Sequence, residues 1–189
     1  MSGEKSIIKL ILGLLILQMV ACASQEAHFL NDKTDAKGKP FWVTQGTTTL
    51  KSKQSRAFLA VGTAPIDGAL SIQASIANQR AKVQAELILN RFFEVVSRDY
   101  IATGSAESAG YTTQDAPQHV SKTTAVILPH MQIMDHWHDT ENNRIYAVTG
   151  MEYPQVIKRV LAATSVNSGF KTYLAAEGNS IFDRIATQR

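Results

Sequence analysis

Hydrophobic positions along the chain change their spacing several times, and each change marks an element. Residues 1–21 hold an apolar run, Ile7, Ile8 and Leu10 to Leu17. Residues 23–40, "ASQEAHFLNDKTDAKGKP", are small and polar and close on Gly38 and Pro40, the composition of a tether. "FWVTQGTTTL" (41–50) and "RAFLAVGTAP" (56–65) are rich in apolar and β-branched residues, with turn signals at Gly46, Gly62 and Pro65; both predict strands. From Ser71 the spacing becomes three and four: Ala74, Ala77, Ala81, Ala85, Ile88, Phe92 and Val95. That pattern predicts one amphipathic helix of about eight turns, with a small-residue face first and a bulky one later. The alanines leave room for another element to approach the helix backbone closely.

Residues 103–120 are small and polar with no period and predict a surface loop. "KTTAVILPHMQIMDHWHD" (122–139) and "RIYAVTGMEY" (144–153) flank the turn formers "TENN" and predict a hairpin, its first strand bulged or broken at Pro129. Val156, Val160 and Ala163 share one side of a helix over 153–165, with Pro154 in its first turn. Phe170, Leu174, Ile181 and Ile185 predict a last helix over 168–188, weakened at Gly178. The order predicts an α+β domain: a small antiparallel or mixed sheet with the long amphipathic helix and the C-terminal helices packed on one face. Residues 41–166 form this domain, and 167–189 a C-terminal helix.

The apolar start is an address. Lys5 and Lys9 precede the apolar run, and Met19-Val20-Ala21 lead to Cys22, the only cysteine among 189 residues. This is the layout of a bacterial secretory signal peptide, and the run is too short for a confident membrane span. A lone cysteine excludes an internal disulfide, and no CxxC spacing suggests a zinc site. "MVAC" resembles the lipobox of bacterial lipoproteins, with Met19 where leucine is usual. That resemblance implies cleavage before Cys22, removal of residues 1–21, and covalent lipid on Cys22, with 22–40 as the lipidated flexible tether. Several acyl chains anchor stably where one does not. Ala23 is not the aspartate of inner-membrane retention, which points to the outer membrane. The tether reaches about 60 Å when extended.

Composition narrows the function classes. The chain is 44% hydrophobic and 19% charged, ordinary for a globular domain. A formal charge of +3 with scattered bases is no nucleic-acid surface. Gly62 and Gly68 in "AVGTAPIDG" read as turn residues, since GxGxxG and GK[ST] are both lacking. No GxSxG marks a serine nucleophile, and no paired carboxylates mark a hydrolase of wall polymers. Arg80, Lys82, Arg91 and Arg98 read as the solvated face of the long helix. The sharpest chemical candidate is "HMQIMDHWHD": His136 and His138 share one strand face, with Trp137 on the other. With His130, Asp135 or Asp139 they would make a zinc or copper site. Trp42 and Trp137 read as rings capping a thin core, with a subunit contact as the other role.

Four pieces in order resemble the LPP20 family of bacterial outer-membrane lipoproteins. They are Pro40, Trp42 and Val43; Phe58, Ala60, Val61 and Gly62; Asn78, Arg80, Ala81, Asp99 and Tyr100; and Asp135, Trp137, Asp139, Tyr146 and Ala147. The resemblance covers about residues 40–155. It implies an α+β domain on a lipid anchor, on the periplasmic side or at the surface, and supplies no catalytic residue. Relatives serve as envelope antigens or flagellum-associated components. The expectation is a non-enzymatic outer-membrane lipoprotein without cofactor beyond its lipid, a structural or interaction module of the envelope. Its partners are further copies of itself or envelope and flagellar proteins, and no nucleic acid. The alternative is a periplasmic lipoprotein holding a divalent metal at His136 and His138.

Overall fold

The structure is a computed structural model that describes residues 30, 34–35, 38–52 and 55–187. The expectations for residues 1–21, for Cys22 and for most of the tether lie outside the described residues. The elements are α1 (Phe41–Gln45), β1 (Thr48–Lys51), β2 (Arg56–Pro65), α2 (Leu70–Ala102), α3 (Ala116–Ile127), β3 (Ile133–Asp139), β4 (Arg144–Glu152), α4 (Tyr153–Ala162) and α5 (Ser168–Thr187). The strands form one antiparallel sheet in the order β1-β2-β4-β3. Helices α2 to α5 cover one face, which makes this an α+β domain.

The long helix and the sheet meet at their smallest residues. Ala77, Ala81 and Ala85 of α2 are fully buried. A Cβ on Gly62 in β2 would fall 2.1 Å from the carbonyl oxygen of Ala77 and 2.2 Å from the amide nitrogen of Ala81. The helix backbone therefore rests directly on the strand, an approach only glycine permits. Gly62 is a mid-strand contact residue and not the turn residue its surroundings suggest in sequence.

Farther along α2 the face becomes bulky and the core thickens. Phe92 sits 5.2 Å from Phe58, 5.9 Å from Tyr153 and 6.3 Å from Phe182, ring to ring. These four aromatics come from β2, α2, α4 and α5, so one cluster joins the sheet to three helices. Such pairs add about 0.5–1.5 kcal/mol each beyond their buried area. Arg56 lies over Tyr153 and Phe182 at 4.7 and 4.9 Å and donates to Asn179 Oδ1 and Asp183 Oδ1. It fastens α5 to the start of β2. The last helix runs unbroken through Gly178, which is buried where a Cβ would meet the Tyr153 hydroxyl at 2.7 Å.

Two segments differ from their sequence expectation. Residues 41–45 are helix α1, not strand, and only Thr48–Lys51 pairs with β2. Gly46, at φ 65°, ends the helical turn. Trp42 is thereby swung under the sheet against Ala57, Leu59 and Val148. Its ring outweighs the β propensity of its neighbours.

The region 103–130 is more ordered and more helical than its composition suggests. A 3₁₀ turn covers Glu107–Ala109, α3 covers Ala116–Ile127, and a second 3₁₀ turn carries Pro129. The β-branched run reads as strand by propensity, yet Val120, Thr123, Thr124 and Ile127 bury one helical face. Its hydroxyls are satisfied there: Thr123 donates to the His119 carbonyl at 2.7 Å and Thr124 to Asn90 Oδ1 at 2.6 Å. The first hairpin strand starts only at Ile133, with an irregularity between Ile133 and Asp135.

Candidate functional site

Strand β3 lies at the sheet edge and carries the histidines. Its register places His136 opposite Ala147 and His138 opposite Ile145, both residues of the helix-covered face. Trp137 pairs with Tyr146 on the other face, ring centroids 5.6 Å apart. The alternation is thus as the sequence predicts. Both imidazoles are exposed. The Nε2 atom of His136 is 2.6 Å from Asn78 Oδ1 on α2, and the His136 amide donates to Asp135 Oδ1 at 2.7 Å.

Of the other residues of the expected cluster, Asp139 is engaged elsewhere. Asp139 is buried at the end of β3, where it caps the hairpin turn. It accepts the Asn142 amide at 3.0 Å and the Asn142 side chain at 2.8 Å. The hydrogen bond from the Asn142 side chain is the chief cause holding the Asp139 carboxyl below its ordinary range. His130 sits in the 3₁₀ turn Leu128–His130, before β3 begins. Among the described residues, no three His, Cys, Asp or Glu side chains gather where a metal ion would fit. A site on His136 and His138 would need its further ligands from outside the described residues.

A groove of about 360 Å³ opens between the second half of α2 and the start of α3. Glu94, Ser97, Arg98, Ile101, Pro117 and Val120 are among its lining residues. Ser97 is buried and accepts the Tyr111 hydroxyl at 2.9 Å. Burial, the largest effect, raises the Tyr111 phenol above its ordinary value, against the Ser97 hydrogen bond that lowers it. Tyr111 in turn stacks between His119 and Phe170 at 4.3 and 5.4 Å. Glu94 and Arg98 bring opposite charges to the groove, and Thr113 lines it beside Ala116.

The residues of the four sequence pieces are chiefly structural. Trp42, Phe58, Ala60, Ala81 and Tyr100 are buried core, Gly62 is the contact with α2, and Asp139 caps the hairpin. Asp99 accepts from Arg184 and so ties α2 to α5. No family model matches the chain, and no curated protein or solved structure does either.

What the sequence reading missed is a second apolar surface on α2. The three-and-four spacing marks a single buried face, while Ile72, Ile76, Val83 and Leu87 are exposed on another. Their mutual spacing of four, seven and four residues was the available signal.

Proposed function

We propose that this chain is a lipid-anchored outer-membrane lipoprotein whose α+β domain serves as a structural or interaction module of the cell envelope. One observation carries the reading: the only cysteine of the chain, Cys22, closes an apolar run that two lysines precede. An isolated thiol at that place is suited to thioether attachment of lipid and to no internal disulfide. The resemblance of residues 40–155 to the LPP20 family supports the same reading and extends it to a flagellum-associated component.

Intact-mass analysis of the chain purified from membranes of a bacterial host tests the reading. The expected result is a chain starting at Cys22 with the added mass of diacylglycerol and an N-terminal acyl group. Cys22→Ala should leave the leader uncleaved and remove the lipid mass. An unlipidated wild-type chain would overturn the proposal.

A further inference from the structure

We infer that the outer face of the sheet, opposite helices α2 to α5, rests on the phospholipid surface that holds the anchor, with Trp137 and Tyr146 at the level of the headgroups. The inference deepens the reading of a lipid-anchored module and rests on lipid at Cys22. The face is built from Leu59 and Val61 of β2, Val148 and Tyr146 of β4 and Trp137 of β3, with Trp42 of α1 packed on it. Trp42, Leu59 and Val148 are buried, whereas Val61, Tyr146 and Trp137 are half-buried.

The path of the chain identifies the occupant. Residues before α1 fold back onto this same face, where Leu30 packs against the cluster of Trp42, Leu59 and Val148. Thr34 bridges to Pro40, and between them the Asp35 amide donates to the Lys39 carbonyl at 3.0 Å and the Lys39 amide to Asp35 Oδ1 at 2.9 Å. Lys39 is thereby set over the Trp137 ring, 6.0 Å from its centroid. The span between lipid and domain is then Cys22 to Leu30, eight steps, which reach about 27 Å when fully extended rather than about 60 Å.

A leash that short, rooted on the outer face, orients the domain. Passing round a sheet edge and a helix layer about 10–12 Å thick would use most of its length. With the outer face down it stays slack, and a slack chain loses the least conformational entropy.

The chemistry of the face suits lipid headgroups. Tryptophan and tyrosine join an apolar body to a polar tip and gather where hydrocarbon meets water. The charges beside them nearly cancel, since Lys39 stands near Asp35 and Asp139. A zwitterionic surface therefore matches the face better than an acidic one. Two half-buried rings bind weakly by themselves. The anchor makes their contact intramolecular, where effective concentration is high.

The test uses the full-length lipidated chain in phosphatidylcholine vesicles, part of whose lipid carries bromine near the top of the acyl chains to quench indole emission. The chain has two tryptophans, and Trp42 is buried. Bromolipid should lower the emission, and Trp137→Phe should remove about half or more of that quenching. Leu161 is exposed on α4, in the helix layer. The indole added by Leu161→Trp in the Trp137→Phe background should escape quenching. Salt at about 1 M should leave the effect in place, because rings and not charges make the contact.

Intact mass of the same sample separates the two readings. A chain that carries its lipid, yet is quenched equally with and without Trp137, overturns this inference and leaves the anchor standing. A chain without lipid overturns both. A quenched Leu161→Trp indole would put the helix layer on the membrane. Quenching that appears only when residues 23–29 are deleted would assign the face to the tether. Shielding that grows with copies per vesicle would assign it to a second copy. Each of these three results overturns the inference.

Discussion

The two halves of α2 solve opposite problems with one helix. From Leu70 to about Leu87 the buried side is alanine, the backbone rests on Gly62, and the outer side is an apolar row in water. From Ile88 to Ala102 the buried side is Ile88, Leu89, Phe92, Phe93, Val96 and Tyr100, and α3 and α5 pack alongside. The second half is enclosed by its own chain. The first half holds the sheet with almost no side-chain volume and leaves a face unpartnered. Small residues draw backbones together, whereas large ones build a core; a helix can do each in turn where the strand beneath it changes from Gly62 to Phe58.

The largest effect should come from emptying the second half. Phe92→Ala removes the ring shared by Phe58, Tyr153 and Phe182 and should cost about 3–5 kcal/mol, measured by denaturant unfolding. That approaches the whole stability of a marginal domain, about 5–15 kcal/mol. Filling the first half should come next. Gly62→Ala forces a methyl into helix backbone and should cost about 3 kcal/mol although it adds a single carbon. If Gly62→Ala were neutral in the same assay, the close approach that defines the first half would be wrong.

Alkaline pH separates the halves more finely. Burial, with a smaller opposing effect from Arg56, pushes the Tyr153 phenol up to about 12. The folded form then holds its proton after the unfolded form has lost it. This contribution is complete below about pH 10 and is lost as pH rises from there toward 12. Stability measured across that range should fall, and Tyr153→Phe should flatten the fall. Tyr111 and Tyr173, also raised by burial, leave part of it in place. The smallest effect on stability is expected of Ile76→Asp, which replaces an exposed side chain and should leave the unfolding midpoint unchanged.

Regular spacing over long stretches was legible in sequence, and so were the hairpin and the paired face of His136 and His138. Short apolar segments were not. "FWVTQ" and "KTTAVI" have β-branched composition, and their helical state follows from where Trp42, Val120 and Ile127 find burial. The histidines' surroundings were equally hidden, because Asn78 is 58 residues from His136 and meets it only through the packing of α2 on the sheet.

The amino-acid pattern by itself determined the strand and helix periods, the α+β class and the isolation of Cys22, because these depend on neighbours within a few residues. Tertiary structure alone decided that Gly62 is a seat for a helix, that Asp139 belongs to a turn, and that Ile72, Ile76, Val83 and Leu87 have no partner within the described chain. Burial depends on what every other element leaves uncovered, and no local window contains that information.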